Sequence, residues 1–173
     1  MDYAGLELVY SRDFITSQVK RLAAEINRDY REKEIILVGI LKGSFIFLSD
    51  LARELAIPAK IDFVQLASYG SRSTSSGIVE MRKDITLAVQ GKDVLIVEDI
   101  VDSGYSLEFL YQKLLSRQPR SLKTCVFLDK KAARVIPFEA NYVGIVVEDR
   151  FLVGYGLDYD EKYRNLAGIY SIK

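Results

Sequence analysis

The chain has 173 residues, enough for one domain with a sizeable core, and its 24 basic and 24 acidic side chains leave no formal net charge and no electrostatic footprint for nucleic acid. No apolar run approaches a membrane span, and Met1-Asp2-Tyr3-Ala4 does not open a signal peptide, so a cytoplasmic protein without membrane or nucleic-acid partners is expected. With no histidine and one cysteine, a His-ligated zinc site, a Ser-His-Asp triad and an intramolecular disulfide are excluded, and acid–base chemistry falls to carboxylates, lysines or tyrosines.

Between about residues 12 and 30, Ile15, Val19, Leu22, Ala23 and Ile26 recur at helical spacing and predict a surface helix with one apolar face. Ile35 to Leu41 reads as a buried strand, followed directly by Lys42-Gly43-Ser44. Phe45, Leu48, Leu51, Ala52 and Leu55 then define a second helix that ends before Pro58. The Lys42 loop lacks P-loop spacing and is either a short turn with an exposed lysine or an anion loop of another kind. Ile61 to Ala67 is another strand. The ten residues from Ser68 to Gly77 are polar and glycine-flanked, and read as a mobile surface loop of the length common in active-site lids. Ile78 to Leu87 returns toward the core as strand or hairpin.

The stretch from Val94 to Leu107 organises the rest. Val94-Leu95-Ile96-Val97 is a strand buried on both faces, which the adjacent carboxylates Glu98 and Asp99 should end. Asp102-Ser103-Gly104-Tyr105-Ser106 forms a small-residue loop, and Leu107, Leu110, Tyr111, Leu114 and Leu115 open a helix. A loop at a helix start presents unpaired N–H groups to a phosphate, with Ser103 and Ser106 hydroxyls beside them. The two carboxylates would repel that ligand unless a hard cation or sugar hydroxyls lie between, so a phosphorylated sugar with Mg²⁺ fits all three features. The competing reading is an ordinary strand–helix turn in which Asp102 or Ser103 caps the helix.

Beyond it, Leu122 to Leu128 is a strand carrying Cys125 as an inert core thiol, and Asp129-Lys130-Lys131 follows. Tyr142 to Val147 is a further strand. Gly154-Tyr155-Gly156 is not a dinucleotide fingerprint, because Tyr159 takes the third glycine's place and no helix follows.

Val94 to Leu107 resembles the phosphoribosyl-pyrophosphate motif of type I phosphoribosyltransferases, and Val-Glu-Asp-Ile-Val-Asp-Ser-Gly resembles its hypoxanthine-guanine branch. Leu41 to Ser44 resembles that family's pyrophosphate loop, where the peptide bond before the lysine is often cis. Ser68-Tyr69-Gly70 resembles the start of its flexible catalytic loop, and Leu128 to Arg164 its purine-binding portion. The resemblance implies that Asp102 is the general base and that Glu98 and Asp99 hold ribose hydroxyls or Mg²⁺. It implies that Ser103, Gly104, Tyr105 and Ser106 bind the 5′-phosphate, although some relatives carry lysine where Tyr105 stands. Lys42, Gly43 and Arg164 would take pyrophosphate, and Asp158 would serve the Mg²⁺ there. Lys130 would donate to a purine 6-oxo group, Phe151 would stack on the base and the Leu152 backbone would read its edge. Ser68 and Tyr69 would belong to a closing lid.

The expected fold is α/β: one domain over residues 1–173, with a central, mainly parallel twisted sheet between helices. A small hood would form from the N-terminus and about residues 148–173. The expected reaction is purine salvage from phosphoribosyl pyrophosphate and a 6-oxopurine, by a homodimer or homotetramer. An RNA-binding regulator on the same fold, or a transferase for xanthine or adenine, stays open.

Overall fold

The computed structural model describes residues 5–71 and 74–172, and their side chains except at 68–71 and 74–77. In chain order the elements are β1 (Leu6–Tyr10), α1 (Arg12–Asp29), β2 (Ile35–Leu41), α2 (Phe45–Glu54), β3 (Ala59–Ser71), β4 (Thr74–Lys83), β5 (Asp93–Val101), α3 (Tyr105–Leu115), β6 (Ser121–Asp129), β7 (Tyr142–Val146), β8 (Leu152–Val153) and β9 (Ile169–Ile172). A six-stranded sheet has the order β4-β3-β2-β5-β6-β7, and a three-stranded sheet the order β1-β9-β8. Only β4 runs antiparallel in the larger sheet.

The continuous apolar runs of β2, β5 and β6 have a direct cause: both sheet faces are covered. Ile35, Leu37, Leu95, Val97, Cys125 and Phe127 pack on the face of α1 and α2, whereas Ile36, Val38, Val94, Ile96 and Val126 pack on that of α3. This alternation of partners along each strand is the period-2 geometry of a pleated sheet. Ser11 caps α1 by accepting from the Phe14 N–H, and Ile15, Val19, Leu22, Ala23 and Ile26 form its buried stripe, as the spacing requires. Burial pushes the Cys125 thiol up, which keeps it an inert core residue. No helix among the described residues is long and apolar enough to cross a membrane.

Two expectations need correction. β5 does not end at the acidic pair but continues to Val101, with Glu98 opposite Val126 and Val101 opposite Asp129. The parallel ladder is made by backbone groups, so β6 can extend β5 past a change of side-chain polarity. The segment read as a loop is largely a hairpin: Ser68 pairs with Val79, Tyr69 with Ile78, Gly70 with Ser75 and Ser71 with Thr74. A two-stranded ladder needs backbone partners rather than an apolar face, which composition does not report. The side chains of Ser68 and Tyr69 lie outside those described.

After β4 the chain is pinned by the buried Asp62 carboxylate of β3. It accepts from the Thr86 N–H at 2.6 Å, the Thr86 hydroxyl at 3.0 Å, the Leu87 N–H at 2.9 Å and the Phe63 N–H at 2.8 Å. Burial alone would raise its pKa, but these donors to the charged form outweigh it and hold the group at about 2, below the ordinary 3.8. A depressed folded-state value contributes stability above the unfolded pKa and loses it as pH falls toward the folded one. The contribution is about 2 kcal/mol. Asp62→Asn should therefore destabilise the protein most above roughly pH 5, with the gap to wild type closing toward pH 2 in denaturant titrations. A gap independent of pH would mean that the ionised carboxylate is not what pins this segment.

Candidate active site

Three loops meet at the carboxyl ends of β2, β5 and β6, where ligands of open α/β sheets bind. The closest approach is between the Lys42 loop and the acidic pair. A Cβ on Gly43 would lie 2.1 Å from Asp99 Oδ2, so the carboxylate occupies the space any side chain would need. Gly156 closes the other side. It has φ +101°, and a Cβ there would lie 2.1 Å from the Gly43 carbonyl oxygen. Asp99, Gly43 and Gly156 are thus stacked in direct contact, and the Leu41–Lys42 peptide beside them is cis, as expected.

Glu98 and Asp99 are each 8% exposed, and among the described residues no lysine or arginine pairs with either. Burial first, then the neighbouring Asp99 carboxylate, pushes Glu98 well above the usual carboxylate range. Two buried acids side by side, short of positive charge, suit a hard cation or a pair of sugar hydroxyls. No group of three or more acidic or thiol side chains gathers into a metal cage among the described residues. Asp158, expected beside the cation, is ion-paired to Arg164 at 2.8 Å. The acidic pair therefore fits Mg²⁺ only as a shared ion whose remaining oxygens come from a ligand and water.

The loop after β5 surrounds a cavity of about 100 Å³ lined by Glu98, Asp102, Ser103, Gly104 and Ser106 among others. Gly104, with φ +93°, precedes α3 as its N-cap, and among the described residues no side chain makes a capping hydrogen bond there. The reading of Asp102 or Ser103 as a mere cap is therefore wrong. The Asp102 side chain is exposed and makes no hydrogen bond among the described residues.

Lys130 is only 7% exposed, whereas Lys131 next to it is solvated. Its Nζ lies 3.3 Å from Asp149 Oδ1, and its backbone N–H donates to the Val101 carbonyl at 3.0 Å. Phe151 is 53% exposed with its ring edge-on to Tyr159, so it is not a core aromatic. Leu152 is buried in β8. Lys42 Nζ meets Glu161 Oε2 at 2.9 Å, and Arg164 contacts Glu161 at 3.6 Å as well as Asp158. Arg164 also donates to the Gly156 carbonyl at 2.7 Å, which ties this segment to the stacked glycines.

Sequence reasoning missed Gly156, Glu161, Asp149 and Arg134. Gly156 carries no signal as part of a dinucleotide fingerprint, although two glycines flanking a tyrosine do signal unusual backbone geometry. Gly43→Ala should displace either Asp99 or the Lys42 loop, and weaken inorganic pyrophosphate binding by 10-fold or more in calorimetry while leaving the far-UV spectrum intact. Unchanged affinity would show that the close stack is dispensable.

A phosphoribosyl transferase domain model matches residues 11–160. The chain is 45% identical over 169 residues to a hypoxanthine-guanine phosphoribosyltransferase of Aquifex aeolicus, covering 97% of this chain and 95% of that protein. It is 44% identical to one of Mycobacterium avium, covering 90% and 79%. A solved hypoxanthine phosphoribosyltransferase of Staphylococcus aureus superposes with a TM-score of 0.95 at 41% identity, over 99% of this chain and 94% of that one. The chain belongs to the phosphoribosyltransferase family, on its hypoxanthine-guanine branch.

Proposed function

We propose that the protein transfers the 5-phosphoribosyl group from phosphoribosyl pyrophosphate to hypoxanthine or guanine, releasing pyrophosphate. The observation that carries this reading is the meeting of an uncompensated acidic pair, a glycine-backed cation loop and a buried lysine at one end of the sheet. Relatives of that name at 44–45% identity support the same chemistry. The small sheet of β1, β9 and β8 serves as the hood. A cytoplasmic homo-oligomer is part of the reading.

Breaking the bond between C1′ and the pyrophosphate oxygen develops positive charge on the ribose and negative charge on the leaving group. Mg²⁺, when bound, neutralises the pyrophosphate. Glu98 and Asp99 would hold that ion and orient the ribose through its hydroxyls, and Asp158 would be a further acid near the pyrophosphate. The N–H groups of residues 103–106 and the Ser103 and Ser106 hydroxyls hold the 5′-phosphate, so Tyr105 need not supply a charge. Lys42, the Gly43 backbone and Arg164 take the pyrophosphate, exchanging the Glu161 carboxylate for the ligand's oxygens. Asp102 accepts the N7 proton as N9 attacks C1′. A lid beginning at Ser68 and Tyr69 excludes water that would hydrolyse the activated sugar.

Lys130 donates to the purine O6, a charge-assisted bond that adenine's amino group cannot accept. Phe151 stacks on the base and the Leu152 backbone reads its edge. The reading is tested by pyrophosphate release with the donor, Mg²⁺ and each of hypoxanthine, guanine, xanthine and adenine. Turnover is expected with the first two. No turnover with any purine, together with tight RNA binding, would favour a regulator.

Asp102→Asn should lower kcat by about 10²–10⁴ with donor binding nearly intact, as for loss of a proton acceptor. Lost stability as the main effect would remove that role. Lys130→Ala should raise KM for 6-oxopurines and narrow their advantage over adenine. Phe151→Ala should weaken all purines together by about 1–3 kcal/mol. Both substitutions are read in steady-state kinetics, and wild-type constants for Lys130→Ala would refute its assignment.

A further inference from the structure

A loop that binds an anion through its N–H groups must send its carbonyls elsewhere, since each peptide points the two in opposite directions. Four consecutive carbonyls around the phosphate loop are accounted for. Val101 accepts from the Lys130 N–H at 3.0 Å, and Ser103 from both the Val135 and Ile136 N–H groups at 3.0 Å. Gly104 accepts from the Glu108 N–H at 3.0 Å as α3 begins. The remaining one, Asp102, accepts from a side chain: Arg134 Nε at 3.1 Å.

Arg134 is committed on all three nitrogens. One terminal nitrogen pairs with Asp129, the other donates to the Phe138 carbonyl, and Nε holds Asp102. The pair is well out of solvent, with side chains 13% and 6% exposed. Its stem also packs beside the loop, since a Cβ on Gly104 would lie 3.1 Å from Arg134 Cδ. Asp129 is the residue before Lys130, so the base-reading end of β6 and the Asp102 carbonyl are joined through one guanidinium. Only the planar five-donor fork serves three acceptors in different directions; a lysine ammonium at the end of a flexible stem does not.

We propose that Arg134 is a positioning residue for the 5′-phosphate loop: with Asp129 as its anchor, it keeps the Asp102 carbonyl turned away from the ligand and the loop N–H groups turned toward it. The inference rests on the proposed phosphoribosyl transfer and adds to it a residue that touches no substrate. Phosphate affinity, more than base affinity, then depends on the Asp129–Arg134 pair.

The test uses the full chain and ribose 5-phosphate as a probe carrying the phosphate without base or pyrophosphate. Arg134→Met should weaken ribose 5-phosphate binding in calorimetry, and raise the donor KM, on the order of 10- to 100-fold, while the hypoxanthine KM moves less than about 3-fold. Arg134→Lys keeps the charge and should recover little of the loss, whereas added guanidinium should partly restore Arg134→Met. Because Arg134→Met alone leaves Asp129 buried and unpaired, the double variant Asp129→Leu/Arg134→Met removes both charges. It should fold with a near-wild-type melting temperature and keep the phosphate defect. Wild-type ribose 5-phosphate affinity in the folded double variant would overturn the proposal, as would full recovery by Arg134→Lys, or equal losses for donor and hypoxanthine in step with lost stability. A wild-type protein that neither binds ribose 5-phosphate nor forms nucleotide would instead overturn the transferase reading, and this inference with it.

Discussion

The site depends on one steric fact: Gly43 has no side chain, and the Asp99 carboxylate fills the volume it would have taken. That contact brings a cation loop against an acidic strand end without an intervening side chain. The same loop is approached from its far side by Gly156, whose left-handed backbone lets the C-terminal segment sit directly on the Gly43 carbonyl. Strand β5, the loop after β2 and the chain after β8 are therefore fixed to one another at backbone distance. Behind them, Phe47, Phe127 and Tyr155 pack ring against ring at about 5 Å, and the Tyr155 hydroxyl donates to Asp50 at 2.8 Å. This aromatic column carries the C-terminal segment on the same core that supports α2.

Charge in the site is arranged in complementary excess. Glu98 and Asp99 lack a cationic partner among the described residues, and burial makes ionisation of Glu98 unfavourable. A few residues away the cations are engaged: Lys42 and Arg164 share the Glu161 carboxylate, Arg164 also holds Asp158, and Lys130 leans on Asp149. Lys42 and Glu161 are largely exposed, so that pair contributes little to stability and exchanges readily for a ligand, and the Asp149 partner of the buried Lys130 is exposed as well. A ligand with anionic and hydroxyl groups relieves the acid pair and replaces the exposed carboxylates together. Such exchange explains how a chain of zero net charge can bind a polyanion without a basic surface field.

Much of this was legible in the residues. The apolar runs of β2, β5 and β6 announced strands covered on both faces, because a strand with one wet face alternates. The stripe Ile15, Val19, Leu22, Ala23, Ile26 located α1 to within a residue, and a carboxylate pair beside a serine- and glycine-containing loop marked the ligand end of the sheet. These signals are local: each is set by the periodicity or chemistry of neighbours in the chain.

What the residues did not disclose comes from contacts distant in sequence. The polar composition from Ser68 to Gly77 suggested a loop, yet ladder pairing with the returning strand decided most of its backbone. Nothing in the linear order pairs Asp158 with Arg164, and nothing in it singles out Arg134. The role of Arg134 arises because β5 and β6 lie side by side, which delivers the Asp102 carbonyl and the Asp129 carboxylate to one guanidinium. The chain by itself determined the three helices, the buried strands of the two-faced core and the chemistry toward the end of β5, since periodicity and local turn chemistry are written in order. Which carboxylate meets which cation, and which carbonyl is turned from the ligand, was decided only when separate strands were brought into register, because those energies depend on distances that the linear order does not contain.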